Sequence, residues 1–310
     1  MNAPALNSDS TPAILREGDQ KKTWIMIAVA TVVLIFAYWN SLYRVTNEWE
    51  RPEYSHGYLI PVFALGLLWL RRQKFTEVPT WHRWVGLAIL CSGILMRIVA
   101  TRFVYFTVDY ASLIPCILGV FVMFGGLNVL RWAGPTIVFL VFMFPLPTFL
   151  KTNLLERMQT FATRGSVYAM QTLGVDAFRE GNNIHLMNKP LNVQEACAGL
   201  RMLTIFIAIA VAMALIVNYR PWWQRLVIVV SAIPIALAVN VIRITVTGLL
   251  YNLDVPERIA HFFFHDLAGY FMMPLALVFL FLELKILDNL FIEVEGKSFV
   301  PAGIAPVRQP

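Results

Sequence analysis

Residues 192–201, NVQEACAGLR, bring Glu195, Cys197 and Arg201 together directly before an apolar run from Met202 to Val217. A cysteine can serve as a nucleophile once its surroundings favour the thiolate. Asn192 followed by Glu195 resembles a capping box with Asn in place of Ser or Thr, which predicts a helix start there. Cys197 then falls in the first two turns, where unpaired N–H groups and the positive end of the helix dipole favour negative charge. Arg201, four residues on, adds positive charge on the same face, while Glu195 opposes it. Taken alone, the stretch reads equally as a structural cysteine at a helix start.

Two further stretches carry groups that could complete such a site. In LAVNVIRITVTG, Asn240 and Arg243 are three residues apart and share a helix face within apolar sequence. An arginine there costs several kcal/mol at the centre of a bilayer and normally faces a polar cavity or partner, unless it snorkels to the interface. In HFFFHDLAGY, His261 and His265 stand four residues apart, with Asp266 next to the second. A histidine close to a nucleophile is a candidate base. Asp266 is not placed to orient His265, because adjacent helical residues point in different directions.

The elements that must position these groups are membrane helices. Of the 310 residues, 58% are hydrophobic and only 14% charged, too few charges for a soluble domain of this length. Window hydropathy places about eight spans near 24–40, 57–71, 84–100, 103–124, 133–150, 199–217, 226–249 and 265–285. The fold class expected is therefore an all-α, polytopic integral membrane protein. The first span is read as a retained helix, since no small-residue cleavage site follows it. Cys91 and Cys116 lie inside apolar runs and read as packing residues. The net charge of +6 is spread in short clusters between spans, the pattern of topology signals rather than of a nucleic-acid surface.

Lys21, Lys22, Arg71, Arg72, Lys74, Arg83, Arg131, Arg220 and Arg225 all fall on one side if the N-terminus is cytoplasmic, so an N-in, C-in topology is expected. The chain then divides into a cytoplasmic tail (1–23), an eight-span membrane domain (24–285) and a second cytoplasmic tail (286–310). The connection 150–198 is external, as are 41–56 and 250–264. Leu150, Leu154, Met158 and Phe161 recur at helical spacing, which predicts an interfacial helix on the outer leaflet. Gly181-Asn182-Asn183 between short alternating runs predicts a small hairpin. Cys197, Arg243 and His265 all approach the outer face from consecutive spans.

The ordered set EACAGLR, NVIR and HDLAG on the last three spans resembles the exosortase/archaeosortase family, on its bacterial branch. YSHGYLIP, residues 54–61, resembles a stretch that often follows the first span in that family. The resemblance covers roughly residues 24–285 and implies a polytopic membrane cysteine transpeptidase. It puts the catalytic cysteine at Cys197, the essential arginine at Arg243 and the histidine at His265; Arg201, Glu195 and Asn240, by their spacing, are read as supporting residues. It also implies the substrates: secreted proteins whose C-terminal sorting signal has a short motif (Pro-Glu-Pro in bacteria), a transmembrane helix and a basic tail. The implied location is the bacterial cytoplasmic (inner) membrane, with the site facing outward, and some members are associated with exopolysaccharide production.

In such a site Cys197 would attack a backbone carbonyl to give a thioester. His265 would take the thiol proton or protonate the leaving amine, and Arg243 would hold the oxyanion. Arg201 is a competitor for that last role by its closeness to the thiol. An unidentified acceptor would resolve the thioester, and neither cofactor nor metal is needed. Two other classes stay open. One is a metal-dependent hydrolase using His261 and His265 with Glu195 or His185, although H-E-x-x-H is absent. The other is a non-catalytic polysaccharide-export or transport subunit with Arg97, Arg201 and Arg243 along a polar path.

Overall fold

A computed structural model describes residues 14–51, 53–186, 190–192, 199–253 and 268–290. The elements in order are α1 (Glu17–Ala37), α2 (Trp39–Trp49), a 3-10 turn (Ser55–Tyr58), α3 (Leu59–Arg71), α4 (Thr80–Arg102), α5 (Phe106–Ala111) and α6 (Leu113–Gly125). There follow α7 (Val129–Trp132), α8 (Gly134–Phe139), a second 3-10 turn (Leu140–Met143) and α9 (Thr148–Thr172). Three short strands come next: β1 (Ala177–Glu180), β2 (Asn183–Leu186) and β3 (Pro190–Asn192). The described chain closes with α10 (Gly199–Ile216), α11 (Trp222–Asn252) and α12 (Ala268–Leu290). The protein is an all-α polytopic membrane protein with one small antiparallel sheet.

Among the described residues, four helices are long and apolar enough to cross a bilayer: Glu17–Ala37, Thr80–Arg102, Phe106–Gly125 and Trp222–Asn252. Gly134–Met143 and Thr148–Thr172 make a fifth only if taken together, and they are bent by 76° at their junction. The sequence windows smoothed over such breaks. The 133–150 window is interrupted by Phe144-Pro145-Leu146-Pro147, where Pro145 and Pro147 cannot donate backbone hydrogen bonds. The 57–71 window contains α3, whose 13 residues rise only about 20 Å against a hydrocarbon core of about 30 Å.

The first half is built on α4 against α6. Glycines bring these helices into backbone contact: a Cβ on Gly86 would overlap the Met123 backbone, one on Gly119 that of Leu90, and one on Gly93 the Cys116 sulfur. Close approach at small residues is how helices gain contact where lipid offers no hydrophobic drive. Cys116 is wholly buried in this seam, whereas Cys91 is on the exposed side of α4. At the end where α1 begins, Trp24 packs edge-on to Phe75 at 5.2 Å and to Trp132 at 6.0 Å. At the other end Ser41 donates to Asp109 at 2.6 Å, and Arg97 lies 3.6 Å from the same carboxylate, which fixes α2 across α5. Arg97 also donates to the Ala37 carbonyl at 2.8 Å.

The second half packs α9, α10, α11 and α12 around Met202, Phe206, Ala210, Ile228, Ala232, Ala236 and Val239. The stretch read as an interfacial helix is longer than its apolar spacing indicated. It runs 25 residues and buries Met158, Gln159, Ala162, Thr163, Ser166, Val167 and Met170. Phe161, placed on the same lipid face as Met158 in the sequence, is 66% exposed while Met158 is 4% exposed. The buried face is set by contact with α11, not by the apolar residues alone. Gly181, at φ 62°, makes the turn between β1 and β2, which pair in antiparallel register with Glu180 opposite Asn183.

The glycine seam gives a direct expectation. Gly119→Val should destabilise the membrane domain by about 1–3 kcal/mol through overpacking. Gly18→Ala, where nothing lies within 4 Å, should leave it unchanged. Thermal unfolding of the two purified variants in detergent checks the contrast.

Candidate functional site

Arg243 sits two-thirds of the way along α11 and is 6% exposed; Asn240, one turn earlier, is 3% exposed. The guanidinium does not snorkel. Its Nη2 donates to Asn240 Oδ1 at 2.8 Å, a charge-assisted bond between residues on one helix face. Thr247 Oγ1 donates to the Arg243 carbonyl at 2.9 Å.

α9 packs on a different face of α11 from the one that carries Arg243. Gly165 lets this helix approach Val241, and Ser166 Oγ donates to the Val241 carbonyl at 3.2 Å. Gly248 likewise admits Met170, which a Cβ there would overlap. Gln159, Thr163 and Ser166 form a buried polar stripe at spacings of four and three, which the sequence reading did not single out. Their spacing was the available signal, but nothing in the sequence said that this face meets α11. The hairpin closes the end: Ala177, Ile184 and Leu186 pack with Met170 and Ile244, and Asn182 Nδ2 donates to Gln159 Oε1 at 3.3 Å.

Arg201 lies in the first turn of α10, half-buried, and Thr204 Oγ1 donates to its carbonyl at 2.9 Å. A second histidine emerges near it. His56, in the turn Ser55–Tyr58, is half-buried and gives a hydrogen bond to the Phe142 carbonyl. Burial holds its pKa below the usual histidine range, and the positive charge of Arg201 pushes the same way. Sequence reading quoted His56 only inside YSHGYLIP and gave it no role.

Glu195, Cys197, His261, His265 and Asp266 lie outside the described residues. Cys197 precedes Gly199, the first residue of α10, by two positions in the chain. His185, a ligand in the metal alternative, is 3.0 Å from Glu180 and stacks on Phe178 with ring centroids 5.0 Å apart. Arg97, part of the transport alternative, is held in the first half by Asp109 and the Ala37 carbonyl, whereas Arg243 belongs to the second.

A family model described as transmembrane exosortase (Exosortase_EpsH) matches residues 49–282, most of the membrane region including α9, α10 and α11. The chain belongs to the transmembrane exosortase family. No curated protein and no solved structure matches it. The exosortase match spans YSHGYLIP, EACAGLR, NVIR and HDLAG alike.

The Asn240–Arg243 contact sets a stability expectation for this exosortase. Asn240→Ala removes a hydrogen bond to a buried charge, which should cost about 1.5–3 kcal/mol. Asn240→Asp should cost less, because it keeps the acceptor. Urea unfolding of the variants in mixed micelles measures the difference.

Proposed function

We propose that the protein is a membrane cysteine transpeptidase that cleaves the C-terminal sorting signals of secreted proteins and passes them to an acceptor through a thioester. The observation that carries this reading is the buried guanidinium of Arg243, held by Asn240 on the same face of α11 in a family member. A fixed, permanently charged double donor suits an oxyanion.

In this reading Cys197 attacks the scissile carbonyl and the leaving amine departs with a proton from His265. Glu195 and Arg201 flank the thiol, and Asn240 orients Arg243. The chain crosses the cytoplasmic membrane eight times with both ends inside, so the site faces outward, where secreted substrates arrive. The short helices α3 and α10 and the bent pair α8–α9 then count among the spans, supported by their neighbours rather than by length.

The roles imply a graded series. Cys197→Ala and Cys197→Ser should abolish cleavage of a reporter ending in motif, apolar helix and arginine cluster, with unchanged protein in the membrane. Arg243→Lys should lose about a hundredfold, because a point charge does not reproduce the planar donors. Full activity in Arg243→Lys with none in Arg201→Lys would move the oxyanion role to Arg201. A membrane-impermeant thiol reagent applied from outside should label Cys197 and neither Cys91 nor Cys116; labelling only from the cytoplasm would invert the topology.

A further inference from the structure

His56 is a half-buried titratable group, with its Nδ1 fully buried, that this mechanism does not use. Its position follows from two helices that run side by side. α3 packs against α10, and at one end Arg71 of α3 donates to the Leu215 carbonyl of α10 at 2.7 Å. Counting back along each helix from that bond, Arg201 and His56 both lie roughly 20–25 Å away, at the opposite end and at the same level. The effect of the Arg201 charge on the imidazole agrees with that juxtaposition.

The turn that carries His56 is rigidly built. Gly57 N donates to the Tyr54 carbonyl at 2.8 Å, and the Trp49 indole lies so close to Gly57 that no side chain fits there. Trp49 Nε1 in turn donates to the Met143 carbonyl at 2.7 Å. Consecutive carbonyls, of Phe142 and Met143, thus hold His56 and Trp49. His56 Nδ1 is buried and has no hydrogen-bond partner. In the neutral ring with its proton on Nε2, Nδ1 presents a bare lone pair. A buried acceptor without a donor is costly, and its retention asks for a reason.

We propose that His56 is a positioning residue of the outer site, whose Nδ1 receives the Arg201 guanidinium when an extended peptide engages and so fixes the orientation of that guanidinium. Arg201 has five N–H donors on a long side chain, so rotation of that side chain alone brings a donor to an acceptor at its own level. The guanidinium then presents its remaining donors to a substrate carbonyl. The role rests on the peptide-cleaving reading above, and it gives Arg201 a task distinct from that of Arg243.

Two amide substitutions separate the two nitrogens of the ring. His56→Gln reaches the Nε2 position and keeps a donor for Phe142, but loses the Nδ1 acceptor. His56→Asn keeps an acceptor near Nδ1 and loses the bond to Phe142. In full-length enzyme, kcat/KM for the reporter should fall about tenfold in His56→Gln and less in His56→Asn. In an Arg201→Ala background His56→Gln should cost under twofold. Wild-type activity in His56→Gln or in Arg201→Ala, equal losses in the Gln and Asn variants, or an undiminished His56→Gln effect without Arg201 would each overturn the proposal. Juxtaposition is tested without any substrate. A short bis-maleimide should join the pair His56→Cys/Arg201→Cys in protein whose Cys91, Cys116 and Cys197 are replaced by alanine, and absence of the cross-link also overturns it. Cleavage that persists in Cys197→Ala would instead defeat the transpeptidase reading, an outcome the cross-link does not share.

Discussion

A guanidinium that cannot shed its proton has been enclosed within a membrane domain, and much of the second half of the molecule is arranged around that constraint. Removing Arg243 from water is costly unless its donors are met. Asn240 meets one of them from the same helix face. α9 packs closely on the neighbouring face of α11, where Gly165 and Gly248 leave room at the crossing. The hairpin then caps the junction through Ile184 and Leu186 above Met170 and Ile244. Such a buried charge is costly to keep in an apolar bundle, and its retention supports the catalytic role proposed for it.

The two halves of the molecule are tied together at both ends of the helix bundle. On the side of the basic clusters, Arg71 donates to the carbonyls of Trp132 and Leu215, linking α3, α7 and α10. On the other side, Lys151 at the start of α9 pairs with Glu53 at 2.5 Å, next to the turn that holds His56. Trp49 bonds to Met143 just before the bend into α9. The rigid first half, zipped by the glycine seam of α4 and α6, therefore sets where α9 and α10 begin. Those two helices carry the buried polar stripe and Arg201.

How much of this was legible in the sequence depended on whether the signal was local. The long apolar helices α1, α4 and α11 stand out by hydropathy, and Asn240 and Arg243 share a face by spacing alone. The family was legible too, because four short motifs occur in order. Breaks were not: the double proline at 145 and 147 splits a window that averages to one span, and the 76° bend follows from that split. The fate of α9 was hidden because its partner lies some 75 residues away in the chain, as the Ser166–Val241 bond shows. Phe161 and Met158 look alike in sequence and differ only in what faces them. His56 is a long-range case as well, since its partner Phe142 and its neighbour Arg201 are far from it in the chain.

The central claim is covalent catalysis by Cys197, and trapping the intermediate tests it most directly. Wild-type enzyme given a sorting-signal reporter and no acceptor should accumulate an adduct between the N-terminal part of the reporter and the peptide containing Cys197. Neutral hydroxylamine should release it, as expected of a thioester, and EDTA should leave its formation unchanged. Turnover with no trappable adduct, abolished by the chelator, would contradict the cysteine mechanism and favour a metal site at His261 and His265.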